Sequence, residues 1–429
     1  MGLHADLLAR HRRVMPSWLA LYYQEPISLV DGEGCRVRDA EGNTYLDFFG
    51  GILTTISGYK VPQVVEAIKR QAEKMLHTST LYLIEPQIEL AEKIAELSPI
   101  PDAKVFFTNS GTEANDTALL LATAYRHSNQ ILALRNSYHG RSFSAISVTG
   151  NRSWSPSSLS PLQVTYVHGG YRYRSPFGHL PDDQFIAACV DDLRHMIDVA
   201  TSGDVAAMIA EPIQGVGGFV TPPDGFFGAM KEVLDEHGIL FISDEVQTGW
   251  GRTGEHFWGI EAHGVVPDII TFAKGVGNGL AMGGVIARAE IMDCIQANSI
   301  STFGGNPLAA AGALANIEFI LANDLQTNAY KVGSHLKARL DHLRDRSPIV
   351  GDVRGKGLMI GVELVRPGGK EPNPEATSAV MEETRRRGLL VGKGGLYGNV
   401  LRIAPPLTLT EEEADEGYRI LEEAIEAVE

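Results

Sequence analysis

Asp244 and Lys274 are two charged residues that each close a short apolar run and lead into glycine-rich sequence. The first run reads ILFISDEVQTGWGRTG from Ile239, and the second PDIITFAKGVGNG from Pro267. Runs this short, rich in Ile and Phe and bounded by Gly and Pro, fit strands buried on both faces of a parallel sheet. The C-terminal ends of such strands are where open α/β sheets bind ligands, so the two side chains are expected to meet at the mouth of one sheet. A lysine there can form a Schiff base with an aldehyde cofactor. A carboxylate beside it can hold the ring nitrogen of pyridoxal phosphate in its protonated state. The competing reading is a partly buried ion pair with no chemistry of its own.

Other constellations add to the pair. Phe106–Asp116 reads FFTNSGTEAND, a strand that turns at glycine into a helix with Ser110 and Glu113 in capping-box spacing. The free N–H groups of Ser110, Gly111 and Thr112, backed by the helix dipole, would cradle an anion; an ordinary strand-to-helix turn is the alternative. Tyr138-His139-Gly140-Arg141 follows another strand, offering an aromatic for stacking and, in Arg141, a fork for a carboxylate. Glu211-Pro-Ile-Gln-Gly215 places a second carboxylate at a strand end. Ser301–Pro307, STFGGNP, joins the hydroxyl of Thr302 to two glycines that let backbone approach a ligand. Arg354–Gly361, RGKGLMIG, has dinucleotide-like glycine spacing, but its glycines precede a strand and do not link a strand to a helix, so that idea fails. None of the thirteen histidines has ligand spacing with Cys or another His, and no metal site is expected.

These residues need a scaffold, and the periodicity supplies one. Residues 1–60 predict a helix and a small meander with turns at Asp31-Gly32 and Glu41-Gly42. Helices are expected from Pro62 and over Pro86–Leu97. Between residues 104 and 287 the strand candidates are Lys104–Thr108, Ile131–Leu134, Ala145–Val148, Ala206–Ala210, Leu240–Ser243, Ile269–Phe272 and Gly284–Ala287, alternating with helical patterns as in a parallel α/β domain. Asn151–Asp183 breaks the rhythm and reads as a loop, either a rim or lid element or a plain insertion. Beyond Pro307 an Ala-rich helix leads to strands at Leu358–Leu364 and Val400–Ile403 and to a final helix opened by the Thr410–Glu413 capping box. The expected division is 1–60 as part of a small domain, 61–309 as the large domain and 310–429 as the rest of the small α+β domain.

Composition narrows the class of partner. The 429 residues are 44% hydrophobic and 21% charged, ordinary for a globular protein, with a formal charge of −16. That charge disfavours nucleic acid and anionic membrane surfaces, which demand a positive face. Cys35, Cys189 and Cys294 have no disulfide or metal spacing, no run approaches a membrane span, and the N-terminus lacks an apolar signal core. A cytoplasmic chain is expected.

Together, YLDFFGGI, NSGTEAN, YHGR, EPIQG, DEVQTGWGRTG, AKGVGNG, TFGGNP, RGKGLMIG and RIAPPL closely resemble the class III aminotransferases, pyridoxal-phosphate enzymes of the aspartate-aminotransferase fold type. Within that class, LHTST, EPIQGVGG and IVGDVRGKGLMIGVEL most resemble the alanine–glyoxylate and β-aminoisobutyrate–pyruvate branch. The resemblance implies that Lys274 carries the cofactor and shuttles protons while Asp244 pairs with the pyridinium nitrogen. Gln247 would bond the ring hydroxyl and Tyr138 would stack on the ring. Gly111 and Thr112 would bind phosphate together with Thr302 from the other subunit of a homodimer, alone or within a tetramer. Ser110, His139 and Glu211 join the cofactor site by the same resemblance. Arg402 would take the α-carboxylate, with Ile52 and Arg141 also at the substrate. Small amino acids and 2-oxo acids are the implied partners.

Two departures bear on specificity. Relatives that accept γ- or δ-amino substrates often carry a glutamate five residues after that of EPIQG, masking the carboxylate-binding arginine; this chain has Val216. The GHxHP pattern is GYKVP here, Gly58–Pro62. Rival activities are 4-aminobutyrate or other ω-amino-acid transamination with 2-oxoglutarate, an aminomutase or decarboxylase, and a non-catalytic binding protein.

Overall fold

The computed structural model describes residues 3–429, and its centre is a seven-stranded sheet. In spatial order the strands are Ala103–Thr108, Gly283–Arg288, Ile269–Phe272, Leu240–Asp244, Ala207–Ala210, Gln130–Leu134 and Gln163–Val167. Gly283–Arg288 runs antiparallel to both neighbours, and the pairings from Ile269–Phe272 to Gln163–Val167 are parallel. The four strands Gln130–Leu134, Ala207–Ala210, Leu240–Asp244 and Ile269–Phe272 are buried at every residue, which accounts for their unbroken apolar runs. Their C-terminal ends lie side by side, so segments far apart in sequence meet along one edge.

Two further four-stranded sheets flank this one. Leu29–Glu33, Arg36–Asp39 and Thr44–Asp47 form the N-terminal meander, closed by Leu389–Leu390 in parallel. Val350–Lys356, Met359–Leu364, Val400–Ile403 and Gly392–Gly394 form the C-terminal sheet, with Arg354, Gly361, Arg402 and Gly392 in one cross-strand row. The helix Pro307–Ala322 packs on Pro62–Lys74 and Glu85–Leu97. From it, buried Asn316 donates to the carbonyls of Gly275 (2.9 Å) and Val276 (3.1 Å) and accepts from the Ser57 hydroxyl (2.6 Å), which fixes the turn after Lys274. The Thr410–Glu413 capping box forms in both directions. Among the described residues no single helix is long and apolar enough to cross a membrane; Pro307–Ala322 and Leu325–Arg346 reach that composition only as a pair bent by 63°.

Several local expectations are corrected. Ala145–Val148 is not a strand; Phe143–Ser147 is a short helix, because Ser142 caps it by accepting from the Ala145 N–H (3.1 Å). Four residues of mixed polarity carry too little periodicity to separate the two states. Asn151–Asp183 is not all loop: Gln163–Val167 is the edge strand of the large sheet, and short 3₁₀ turns lie at Arg152–Trp154 and Arg172–Arg174. The first meander turn falls at Gly34 (φ 56°), not Asp31-Gly32. Gly32 serves packing instead, since a Cβ there would stand 2.7 Å from the Tyr59 ring. The Ser110–Glu113 box is half formed: the Ser110 hydroxyl accepts from the Glu113 N–H (3.2 Å), while the Glu113 carboxylate turns to Asn109.

Candidate active site

The neighbouring strand ends deliver Lys274, Asp244, Glu211 and the Tyr138-His139 pair in that spatial order. Asp244 is 4% exposed and densely bonded. Its Oδ2 accepts from His139 Nδ1 (2.8 Å) and Asn115 Nδ2 (2.8 Å), and its Oδ1 from the Val246 N–H (3.1 Å). Asn115 in turn accepts from the Thr271 hydroxyl (2.7 Å) and donates to the His139 carbonyl (2.7 Å). A buried carboxylate bonded this fully keeps one orientation. Asn115 closes the NSGTEAN motif, but sequence reasoning gives it no role; it stands one helical turn after Gly111, at the i+4 spacing that aims a side chain along the same face.

Glu211 is buried and accepts from the N–H groups of Tyr138 (2.9 Å) and Gly215 (2.8 Å). Burial pushes its carboxyl pKa up and Asp244 adds to the rise, while His139 opposes it. Lys274 begins a 3₁₀ turn with φ 47°. Burial first and Arg402 second lower its amine, Asp244 and Glu211 pull the other way, and the net pKa is about 8. An amine this close to neutral pH is partly unprotonated and nucleophilic.

Arg402 is 4% exposed and lies between two rings, its guanidinium carbon 4.9 Å from the centre of Phe49 and 5.4 Å from that of Phe219. Its Nη1 donates to the Gly215 carbonyl (3.3 Å), and its Nε has no partner. Phe49 leads into a left-handed turn, Gly50 to Leu53, in which Ile52 sits at φ 66° and is 44% exposed. Asp47 holds the turn by accepting from the N–H groups of Phe49 (2.8 Å) and Gly50 (3.1 Å). Phe49 and Phe219 are invisible to sequence reasoning, because aromatics beside glycine carry no signal for a cation until the fold brings one.

The anion cradle is present in form. The first N–H groups of a helix have no intrahelical acceptor, and Gly111 opens the helix Gly111–Arg126. A Cβ on Gly111 would come within 3.1 Å of both Val246 methyls, a contact tight enough that Val246 would have to shift to admit one. The Thr112 hydroxyl accepts from the Arg141 N–H (3.3 Å). Tyr138 is half-buried and edge-on to Trp154, centroids 5.3 Å apart. Gln247 is buried with its Oε1 unpaired, as is Nε2 of His139. Two expected residues lie outside this cluster in the single chain. Arg141 is exposed and covers the Trp18 ring at 5.4 Å, and Thr302 is exposed on its loop.

A buried low-pKa lysine, a fixed carboxylate and a helix N-terminus define a site for a phosphorylated aldehyde cofactor. The family model for aminotransferase class-III matches residues 21–425, and this chain belongs to that family. The fold is that of pyridoxal-phosphate-dependent transaminases: the chain superposes on the crystal structure of a thermostable (S)-enantioselective omega-transaminase from Thermomicrobium roseum with a TM-score of 0.92, at 38% identity over 100% of this chain and 99% of that one. Alanine–glyoxylate aminotransferase 2 homolog 2, mitochondrial, of Arabidopsis thaliana is 41% identical over 96% of this chain and 86% of its own length. An alanine/serine racemase of Pyrococcus horikoshii is 38% identical over 98% of this chain and 90% of its own. Class III aminotransferases use pyridoxal phosphate. The residues fit it: Gln247 Oε1 and His139 Nε2 lie buried without a hydrogen-bond partner, and the helix Gly111–Arg126 opens beside them with its first N–H groups free of intrahelical acceptors.

The lowered Lys274 pKa has a measurable consequence. Below its pKa of about 8 the amine is mostly protonated and cannot attack an aldehyde; above it the amine is free. The rate at which apoenzyme recovers the bound-cofactor absorbance should climb with pH, pass half of its maximum near a pH of about 8, and level off roughly a unit above that. A rate still climbing toward the pKa of an ordinary lysine would contradict the burial of that amine.

Proposed function

We propose that the enzyme moves an amino group from alanine, or from a β- or γ-amino acid, to a small 2-oxo acid such as pyruvate or glyoxylate, in two ping-pong half-reactions. The observation that carries this reading is Arg402, a buried cation held by one carbonyl and two rings, with a donor to spare. A cation in that state gains most from a ligand bearing a carboxylate. Bound pyridoxal phosphate supplies the aldehyde that takes up the amino group and the ring that draws off electrons at the reacting carbon.

The chain's residues divide the remaining work. Lys274 Nζ would hold the cofactor between turnovers, and once displaced by donor would carry the proton from the α-carbon. Asp244 would hold the ring nitrogen's proton, with His139 and Asn115 fixing its carboxylate. Gln247 would bond the ring hydroxyl and Tyr138 would cover the ring face. Ser110, Gly111 and Thr112 would take the phosphate. Glu211 would shape the wall between Tyr138 and Gly215. Ile52, on its left-handed turn, would face the substrate beside Arg402. Thr302 and its neighbour Phe303 are exposed in one chain, which suits a homodimer whose second copy completes the phosphate site; a fully active monomer in sedimentation would contradict that assembly.

Two other readings have specific support. Arg141, three residues after Tyr138 and exposed over the Trp18 ring, offers a cation for the distal carboxylate of a 4-aminobutyrate-type donor with 2-oxoglutarate. The archaeal racemase relative supports racemisation, in which the α-proton returns to the opposite face. Loss of optical activity from L-alanine without any oxo acid would favour it.

Val216 separates the transaminase readings. It is buried next to the Gly215 carbonyl that Arg402 holds, and carries no charge to mask the guanidinium. Wild-type enzyme should prefer alanine over 4-aminobutyrate in kcat/KM. Val216→Glu should move that preference toward 4-aminobutyrate by roughly tenfold, the weight of a charged hydrogen bond. A wild-type enzyme that strongly prefers 4-aminobutyrate would contradict the role given to Arg402.

A further inference from the structure

Four consecutive carbonyls in the turn after Glu211 are each held by a donor from a different segment. Gly215 O accepts from Arg402 Nη1 (3.3 Å), Val216 O from the Gly395 N–H (2.9 Å), Gly217 O from Asn136 Nδ2 (3.1 Å) and Gly218 O from Arg354 Nε (3.0 Å). Gln214 and Val220 close the turn with a reciprocal pair of backbone bonds. The two arginines come from one row of the C-terminal sheet, Arg354 opposite Gly361 and Gly361 opposite Arg402. Gly361 makes room for the turn between them: a Cβ there would lie 2.6 Å from the Gly218 carbonyl oxygen. The guanidinium of Arg402 therefore rests on one end of the turn while Arg354 holds the other.

Arg354 is itself tightly fixed. Its Nη1 donates to Asp352 Oδ2 (2.6 Å) and Glu363 Oε2 (2.7 Å), and its guanidinium carbon stands 4.9 Å from the Tyr171 ring centre. Glu363 is wholly buried and also accepts from the Tyr171 hydroxyl (2.5 Å), Arg174 Nε (2.5 Å) and Asn399 Nδ2 (3.3 Å). A buried ion pair with this many hydrogen bonds has one geometry, and removing a member leaves an unpaired charge. Tyr171 and Arg174 belong to the segment Asn151–Asp183, so that segment is tied to the same turn.

We infer that Arg354 is a positioning residue for the substrate's carboxylate. It holds Gly218, which fixes the turn whose Gly215 carbonyl orients Arg402, and Glu363 with Tyr171 holds Arg354 in place. The inference rests on the reading of Arg402 as the carboxylate site. A purely structural role would affect all substrates alike, whereas a positioning role acts only on those with a carboxylate to place.

The test uses holoenzyme and two donors: L-alanine, and isopropylamine, its analogue with a methyl in place of the carboxylate. Single-turnover loss of the bound-cofactor absorbance gives a rate constant and a half-saturation for each. Arg354→Met should lower the ratio of alanine to isopropylamine second-order rate constants by about tenfold, chiefly through weaker alanine saturation. Arg354→Lys, which keeps the charge, should recover part of the loss. Parallel loss with both donors, or an unchanged ratio, overturns the inference. If Arg354→Met is not recovered folded, Tyr171→Phe carries the test; removing one hydroxyl from Glu363 should shift the ratio the same way by a smaller factor, and no shift overturns the inference. A wild-type enzyme indifferent to the carboxylate would overturn the Arg402 reading first and this one with it; a wild-type preference that the variants leave intact overturns this one alone.

Discussion

The site is governed by two buried cations whose charges are felt by each other. Arg402 lies between Phe49 and Phe219 with one backbone carbonyl as its polar contact, and it helps hold the Lys274 amine near a pKa of about 8. Moving a charge out of water is costly unless it is paired, and here no carboxylate of the described residues bonds Arg402. Asp244 and Glu211 lie on the Lys274 side and keep the amine from being suppressed further. Burial does most to free the Lys274 amine, Arg402 adds to it, and the same unpaired guanidinium stays open to an incoming carboxylate.

Holding such an arrangement takes strain and scaffolding. The turn Gly50 to Leu53 keeps four consecutive residues at positive φ, Ile52 and Leu53 among them. A left-handed backbone costs about 1–2 kcal/mol per non-glycine residue, so the bonds to Asp47 and the stacking of Phe49 must offset it. Lys274 at φ 47° and Phe219 at φ 52° add to the same cost. Strain gathered around a ligand site is tolerated when the surrounding structure over-determines it, and Asn316 beside Lys274 and Arg354 beside Phe219 each tie such a segment to a helix or a sheet.

The strand-end pair is legible in the sequence because a short, unbroken apolar run closed by one charge fits a buried strand that ends at a ligand site. Asp244, Lys274 and Glu211 stand out that way, and the motifs around them lead to the family. Fine structure is less legible. Phe143–Ser147 and Gln163–Val167 defy sequence reasoning because four or five residues rich in Ser, Pro or alternating polarity do not separate helix, strand and loop without their neighbours. Gly32 has the look of a turn residue and is instead packed under Tyr59. Arg354 belongs, in the sequence, to a glycine pattern with no dinucleotide to bind. Its place opposite Gly361, and Gly361 opposite Arg402, is a matter of strand register, which becomes visible once the three strands are paired.

All of the chemistry turns on the Lys274 amine being the group that bonds the cofactor. Borohydride reduction of the holoenzyme, followed by digestion and peptide mass spectrometry, tests that directly. The expected result is loss of the cofactor's visible absorbance and a pyridoxyl group on the peptide containing Lys274. A reduced adduct on any other lysine, or a protein that binds pyridoxal phosphate without acquiring one, would contradict it.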